Sequence, residues 1–122
     1  MKKLFDELSY EVSKSTTKKY STSFSLGIMA LHSSIRQAIY AIYGYVRLGD
    51  EIVDSFHDYD KRALLTRFME QTDQALDEGI SLNPIMQSFQ ETVRRYGINR
   101  CLVDQFLKSM EMGFREIRSS KA

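Results

Sequence analysis

An all-α fold is the class this sequence predicts, and three observations carry it. One proline and six glycines in 122 residues leave few breaks. No segment alternates apolar and polar residues for long enough to read as a strand, and apolar residues instead recur three or four apart. A short first helix is expected to run to about Lys19, a brief helical piece to lie around Phe24 to Met29, and a long helix to span about Ser34 to Phe56. Asp60 then precedes a stripe of Leu64, Leu65, Phe68, Thr72, Ala75 and Leu76, and Gly79 stands where a glycine ends a helix in the left-handed conformation. Asn83 followed by Pro84 matches a capping residue ahead of a first-turn proline, with Ile85, Phe89, Val93 and Tyr96 as the stripe and Gly97 as the stop. From Asn99 the residues Leu102, Val103, Phe106, Leu107 and Met110 predict a last helix. The sum is about six helices in one domain covering residues 1–122, with no repeat and no linker.

Composition narrows the function classes. Hydrophobic residues at 43% and charged residues at 27% are those of a folded chain. A chain this long buries roughly 65% of its unfolded surface, so a core forms without disulfides or structural metal. Seventeen Lys and Arg against sixteen Asp and Glu leave a net charge of +1, so no broad field exists to attract nucleic acid, and none is expected as a partner. The single cysteine, Cys101, has no internal disulfide partner, and Asp6 and Glu7 interrupt the start where a signal peptide would be apolar. A reducing, cytoplasmic location follows as an expectation. The longest apolar run, Ala38 to Val46, is about half a membrane span.

The chemistry concentrates on the long helix. At about 100° per residue, Tyr43, Arg47, Asp50 and Asp54 fall within about 60° of one another. Ile35, Ala38, Ile39, Ile42, Val46, Ile52, Val53 and Phe56 cover the far side, and Gln37, Glu51 and Ser55 make a weaker polar strip, so the helix is expected to be buried nearly all round. Buried carboxylates one turn apart must be satisfied, by cations, water or an arginine. One reading is a Mg²⁺ site at Asp50 and Asp54, because Mg²⁺ takes one or two carboxylates plus water and phosphate oxygens, with Arg47 presenting its planar fork to a phosphate. The other is a solvated face on which Arg47 pairs with Asp50 or Asp54 at helical spacing. Spacing alone leaves both open and favours the second.

Further context comes from motifs in order. Tyr20-Ser-Thr-Ser-Phe-Ser25, Arg36, Ala38-Ile-Tyr-Ala-Ile-Tyr43 and Val46-Arg-Leu-Gly-Asp-Glu-Ile-Val-Asp54 resemble, in sequence and separation, the opening half of the squalene and phytoene synthase family. The likeness continues more loosely through Ser81 to Phe89 and Ser109 to Met112, and is nearest to bacterial phytoene synthases. The resemblance implies a partial isoprenoid-synthase-type helical bundle that joins two allylic isoprenoid diphosphates, farnesyl or geranylgeranyl, head to head with Mg²⁺ as cofactor. It implies that Asp50 and Asp54 hold the metal, that Tyr20, Ser21, Thr22 and Ser23 form a flap over the diphosphate, that Arg47 and Tyr43 complete the pocket, and that Phe24 faces the hydrocarbon. Tyr40, Tyr43, Phe56 and Ile39 become candidates for the wall of a dry tunnel, though an aromatic residue on a helix is more often plain core. Prenyl tails would arrive from a membrane, so peripheral attachment is expected.

The same resemblance implies a second aspartate-rich motif on a facing helix, and none is expected after Asp54. Residues 110–114 read Met-Glu-Met-Gly-Phe where the family has Met-x-Met-Asp-Leu, and the tail 113–122 diverges. A truncated catalytic domain, inactive alone and self-associating through unpaired apolar faces, is the expectation. The alternative is a non-catalytic helical module that binds a prenyl diphosphate or a partner chain. His32 and His57 lack a metal-ligand spacing; His32 is read near a helix start and His57 near a helix end. Cys101 is expected to be a small buried apolar residue, and the six methionines to fill core.

Overall fold

The computed structural model describes residues 2–20 and 33–120. Five helices account for them: α1 (Lys2–Tyr20), α2 (Ser33–Asp54), α3 (Lys61–Glu78), α4 (Pro84–Tyr96) and α5 (Arg100–Ser120). No strand occurs among the described residues. The helical piece expected around Phe24 to Met29, and His32, lie outside them.

Local chemistry sets the boundaries. Asp60 caps α3 by accepting from the Ala63 amide at 3.1 Å, and Gly79 closes it at φ 72°. Asn83 caps α4, its side chain accepting from the Ile85 amide at 3.0 Å, Pro84 fills the first position, and Gly97 at φ 62° ends the helix. The Asn99 side chain accepts from the Cys101 amide at 2.8 Å and so caps α5. The long helix stops at Asp54, so Ser55 and Phe56, expected within it, lie in the turn that follows.

Helix α4 sits at the centre, against α1, α2 and α3. Its residues Ile85 to Gln90 are buried without interruption, which an amphipathic stripe alone does not predict. Two polar members of that run, Gln87 and Ser88, are tied to other parts of the chain. Gln87 accepts from the Ser81 amide at 2.8 Å and donates to Asp6 Oδ1 at 2.6 Å, and Ser88 shares a 2.6 Å hydrogen bond with Ser13. Helix α1 comes close because its inner face is small: Ser9 and Ser13 are fully buried, and the Ser9 hydroxyl is satisfied by the Phe5 carbonyl at 2.9 Å. The contact is tightest at Gly44 of α2, where a Cβ would lie 3.2 Å from the Ser13 backbone.

The apolar core lies on the other flank of α4. Tyr45, 1% exposed, stacks on Phe89 with ring centroids 3.6 Å apart and on Phe68 at 4.9 Å. The Thr72 hydroxyl proton goes to the Phe68 carbonyl at 2.9 Å, so the Tyr45 hydroxyl is the donor in their 2.8 Å bond. Burial pushes the Tyr45 phenol far above its ordinary value, which keeps that donor protonated. Helix α5 adds Val103, Leu107, Met110 and Phe114, and Met110 packs into the space left by Gly49 of α2.

Three expectations fail here. Cys101 is exposed, because it lies on the outer side of the first turn of α5. Leu102 is 59% exposed, because the packed stripe of that helix is Val103, Leu107, Met110 and Phe114. Tyr96 is 45% exposed at the end of α4. The methionines divide: Met86 and Met110 fill core, whereas Met112 faces solvent.

Candidate functional site

Helix α2 is not buried all round. Its packed side, with Ala41, Tyr45 and Ile52, lies opposite the stripe of Tyr43, Arg47, Asp50 and Asp54. Along that stripe Tyr43, Arg47 and Asp50 are half-buried and Asp54 is exposed. Ile35, expected inside, is 46% exposed, so the open side continues toward the start of the helix.

The structure brings Asp50 and Asp54 together one turn apart at the end of α2, and gives Arg47 another partner. Arg47 forms its ion pair with Glu51. Asp50 is three positions on from Arg47 and Glu51 four, and side chains meet at either spacing, whereas Asp54 is seven on; the structure pairs Arg47 with Glu51. Sequence spacing leaves that choice open, and Glu51 belongs to the polar strip of Gln37 and Ser55 only by periodicity. No ion pair among the described residues takes up Asp50 or Asp54.

The Asp50 carboxyl is held above the usual carboxylate range, first by burial and then by the charge of Asp54, with Arg47 acting the other way. That is the electrostatic state of a pair that would gain from a cation. Two carboxylates on one ridge, one half-buried and one open to water, suit Mg²⁺, whose remaining positions are filled by water or phosphate oxygens. No cluster of three or more His, Cys, Asp or Glu suited to a metal occurs among the described residues.

Lys61 also borders the pair. Its ammonium donates to the Val53 carbonyl at 2.7 Å, one residue before Asp54. The sequence carries no signal for this, since the two residues are eight apart and meet only because the chain reverses between α2 and α3.

Of the substrate-binding candidates, Tyr20 ends α1, and Ser21, Thr22, Ser23 and Phe24 lie outside the described residues. Tyr40 is buried in the bundle. Phe56 joins Leu48, Ile52, Leu64 and Phe68 around a cleft of about 160 Å³, smaller than the usual range for a small-molecule pocket.

Contrary to expectation, the aspartate spacing does recur after Asp54. Asp54 and Asp58 repeat it, but Asp58 lies beyond the helix. Asp73 and Asp77 repeat it on α3, and Arg100 bridges both, at 3.1 and 2.6 Å. That pair is taken up as a tie between α3 and the start of α5, which separates it from Asp50 and Asp54, which no ion pair among the described residues takes up.

The all-α layout of the described residues fits an isoprenoid-synthase-type helical bundle. The chain belongs to the squalene/phytoene synthase family, whose sequence model matches residues 17–118. No curated protein and no solved structure matches the chain. Family membership implies isoprenoid diphosphates as the substrate class. No described helix is long and apolar enough to cross a membrane.

Proposed function

We propose that these residues form one metal and diphosphate half-site of a head-to-head prenyl transfer, of the phytoene or squalene synthase kind. The observation that carries the reading is the Asp50 and Asp54 pair on the open side of α2, with Arg47 drawn to Glu51 and the Asp50 carboxyl raised by burial and by Asp54. Mg²⁺ bound there would neutralise charge on a diphosphate as it leaves. Asp50 and Asp54 would hold the ion, Arg47 and Tyr43 would border the diphosphate, and the hydroxyl-rich run Tyr20 to Ser23, with Phe24, would cover it. None of these roles needs a protein nucleophile. The allylic cation left by diphosphate departure requires a dry apolar wall, toward which Ile39, Tyr40, Tyr43 and Phe56 are the candidates among the described residues.

In this reading the 122-residue chain does not complete the reaction alone. Joining two prenyl diphosphates calls for two carboxylate clusters, and the other helical pair, Asp73 and Asp77, is occupied by Arg100. Exposed apolar side chains at Leu4, Leu8, Leu102 and Met112 support self-association or docking to a partner or a membrane surface inside the cell.

The test is titration of the purified chain with farnesyl thiodiphosphate, with and without Mg²⁺. The reading expects binding that needs Mg²⁺ and disappears in Asp50→Ala. Binding that is absent, or indifferent to Mg²⁺ and to Asp50→Ala, leaves only a helical module. Turnover of farnesyl or geranylgeranyl diphosphate by the chain alone would overturn the half-site assignment.

A further inference from the structure

The last carbonyls of a helix have no amide ahead of them within that helix. At the end of α2 the Glu51 carbonyl still accepts from the Ser55 amide at 2.9 Å. The Val53 carbonyl is served differently, by Lys61 Nζ at 2.7 Å. Lys61 is the first residue of α3, immediately behind the cap Asp60, so its backbone is fixed while its stem reaches back across the turn. Val53 is buried and the bond itself is part-buried.

The residue after Val53 is Asp54, the last of α2. Two forces act to loosen it there. Helix ends fray, and the carbonyl end of the helix dipole adds to the negative charges of Asp50, Glu51 and Asp54. An ammonium placed on the backbone opposes both. Among the described residues no ion pair joins Lys61 to Asp50 or Asp54. Arg100 shows the contrast, since it sits across Asp73 and Asp77 and occupies both. Lys61 therefore supplies positive charge and a fixed turn while leaving the carboxylates available.

We propose that Lys61 is a positioning residue for the aspartate pair, holding the last turn of α2 so that Asp54 stays on the same ridge as Asp50. This rests on the reading of that pair as a divalent-cation site, and the experiment separates the two. Wild-type chain, Lys61→Met, Lys61→Arg and the remote control Lys108→Met are compared by two measurements. The first is amide hydrogen exchange at Ser55. The second is Mn²⁺ affinity, from the paramagnetic resonance signal of the free ion.

In Lys61→Met, exchange at Ser55 is expected to quicken several-fold while the amides of α4 keep their protection. Mn²⁺ is expected to bind about tenfold more weakly, the usual scale for loss of a group that orients a metal ligand. Lys61→Arg is expected to restore both, and Lys108→Met to change neither. Unchanged exchange at Ser55 overturns the proposal. So does Mn²⁺ affinity that is equal or tighter in Lys61→Met, because Lys61 would then be only a helix cap or a repelling charge. Absence of Mn²⁺ binding by the wild type would be a different failure: the cation-site reading falls, and this inference falls with it.

Discussion

Replacing Gly44 by alanine tests the close approach of α1 and α2 directly. A Cβ at position 44 would lie 3.2 Å from both Cα and Cβ of Ser13 and 3.3 Å from Ile85 Cδ1, inside the 3.5 to 4.0 Å at which carbon atoms normally rest. Ser13 cannot swing aside, because its Cα belongs to the α1 backbone, no rotamer moves its Cβ, and its hydroxyl is held by Ser88 at 2.6 Å. Relief requires α1 to move, at a cost of about 1 to 3 kcal/mol for overpacking. Alanine also favours a helix interior over glycine by about 1 kcal/mol, so the two effects oppose one another. Gly113 of α5 separates them: a Cβ there meets nothing within 4 Å, and Gly113→Ala should show the helix gain alone. Urea unfolding followed by helical circular dichroism should therefore place Gly113→Ala above wild type and Gly44→Ala below Gly113→Ala by about 1 to 3 kcal/mol. With a slope near 2 kcal/mol per molar urea, that is a separation of about 0.5 to 1.5 M in midpoint. Equal upward shifts in the two variants would show that α1 does not press on Gly44, and the packing argument would fail.

Two further outcomes follow from the interior. A double-mutant cycle on Tyr45→Phe and Thr72→Val should return a coupling of about 1 kcal/mol in unfolding free energy, the net worth of one buried hydrogen bond; zero coupling would mean that the two hydroxyls do not depend on each other. The second concerns pH. Burial, then the charge and hydrogen bond of Asp6, raise Glu91 above its ordinary 4.5, while Lys2 and Arg95 act against them. The folded chain then holds more protons than the unfolded one between the ordinary and the raised value, so this group's contribution to stability falls as pH rises through that window. Glu91→Gln should flatten that slope in a series of urea midpoints at different pH, and a slope indifferent to the substitution would locate the dependence elsewhere.

The legible parts of this fold were those written in local chemistry. Asp60 with Gly79, and Asn83-Pro84 with Gly97, act within a turn of themselves, so sequence spacing was enough to place α3 and α4. The inner stripes of Leu65, Phe68, Thr72 and Ala75, and of Ile85, Phe89 and Val93, followed for the same reason. Burial of Gln87 and Ser88 was not legible, because it depends on partners from other parts of the chain, here Asp6, Ser81 and Ser13. Exposure of Cys101 and Leu102 likewise depends on which side of α5 meets α2. At the candidate site, the face shared by Asp50 and Asp54 could be read from helical periodicity. The choice of Arg47 between Glu51 and Asp50 could not, because partners three and four positions on are both within reach of a helical arginine. Asp73 and Asp77 show the limit of spacing as a signal, since the same pattern serves as a strut once an arginine from another helix reaches it.

The chain contains seven tyrosines and no tryptophan, and Tyr45 is clamped between Phe68 and Phe89 where α2, α3 and α4 converge. Its ring is thereby an intrinsic optical gauge of whether those three helices are seated. A preparation that keeps its far-ultraviolet helix signal but loses asymmetry in the tyrosine near-ultraviolet band would have come apart at this stack, as a molten state does, with its helices still wound.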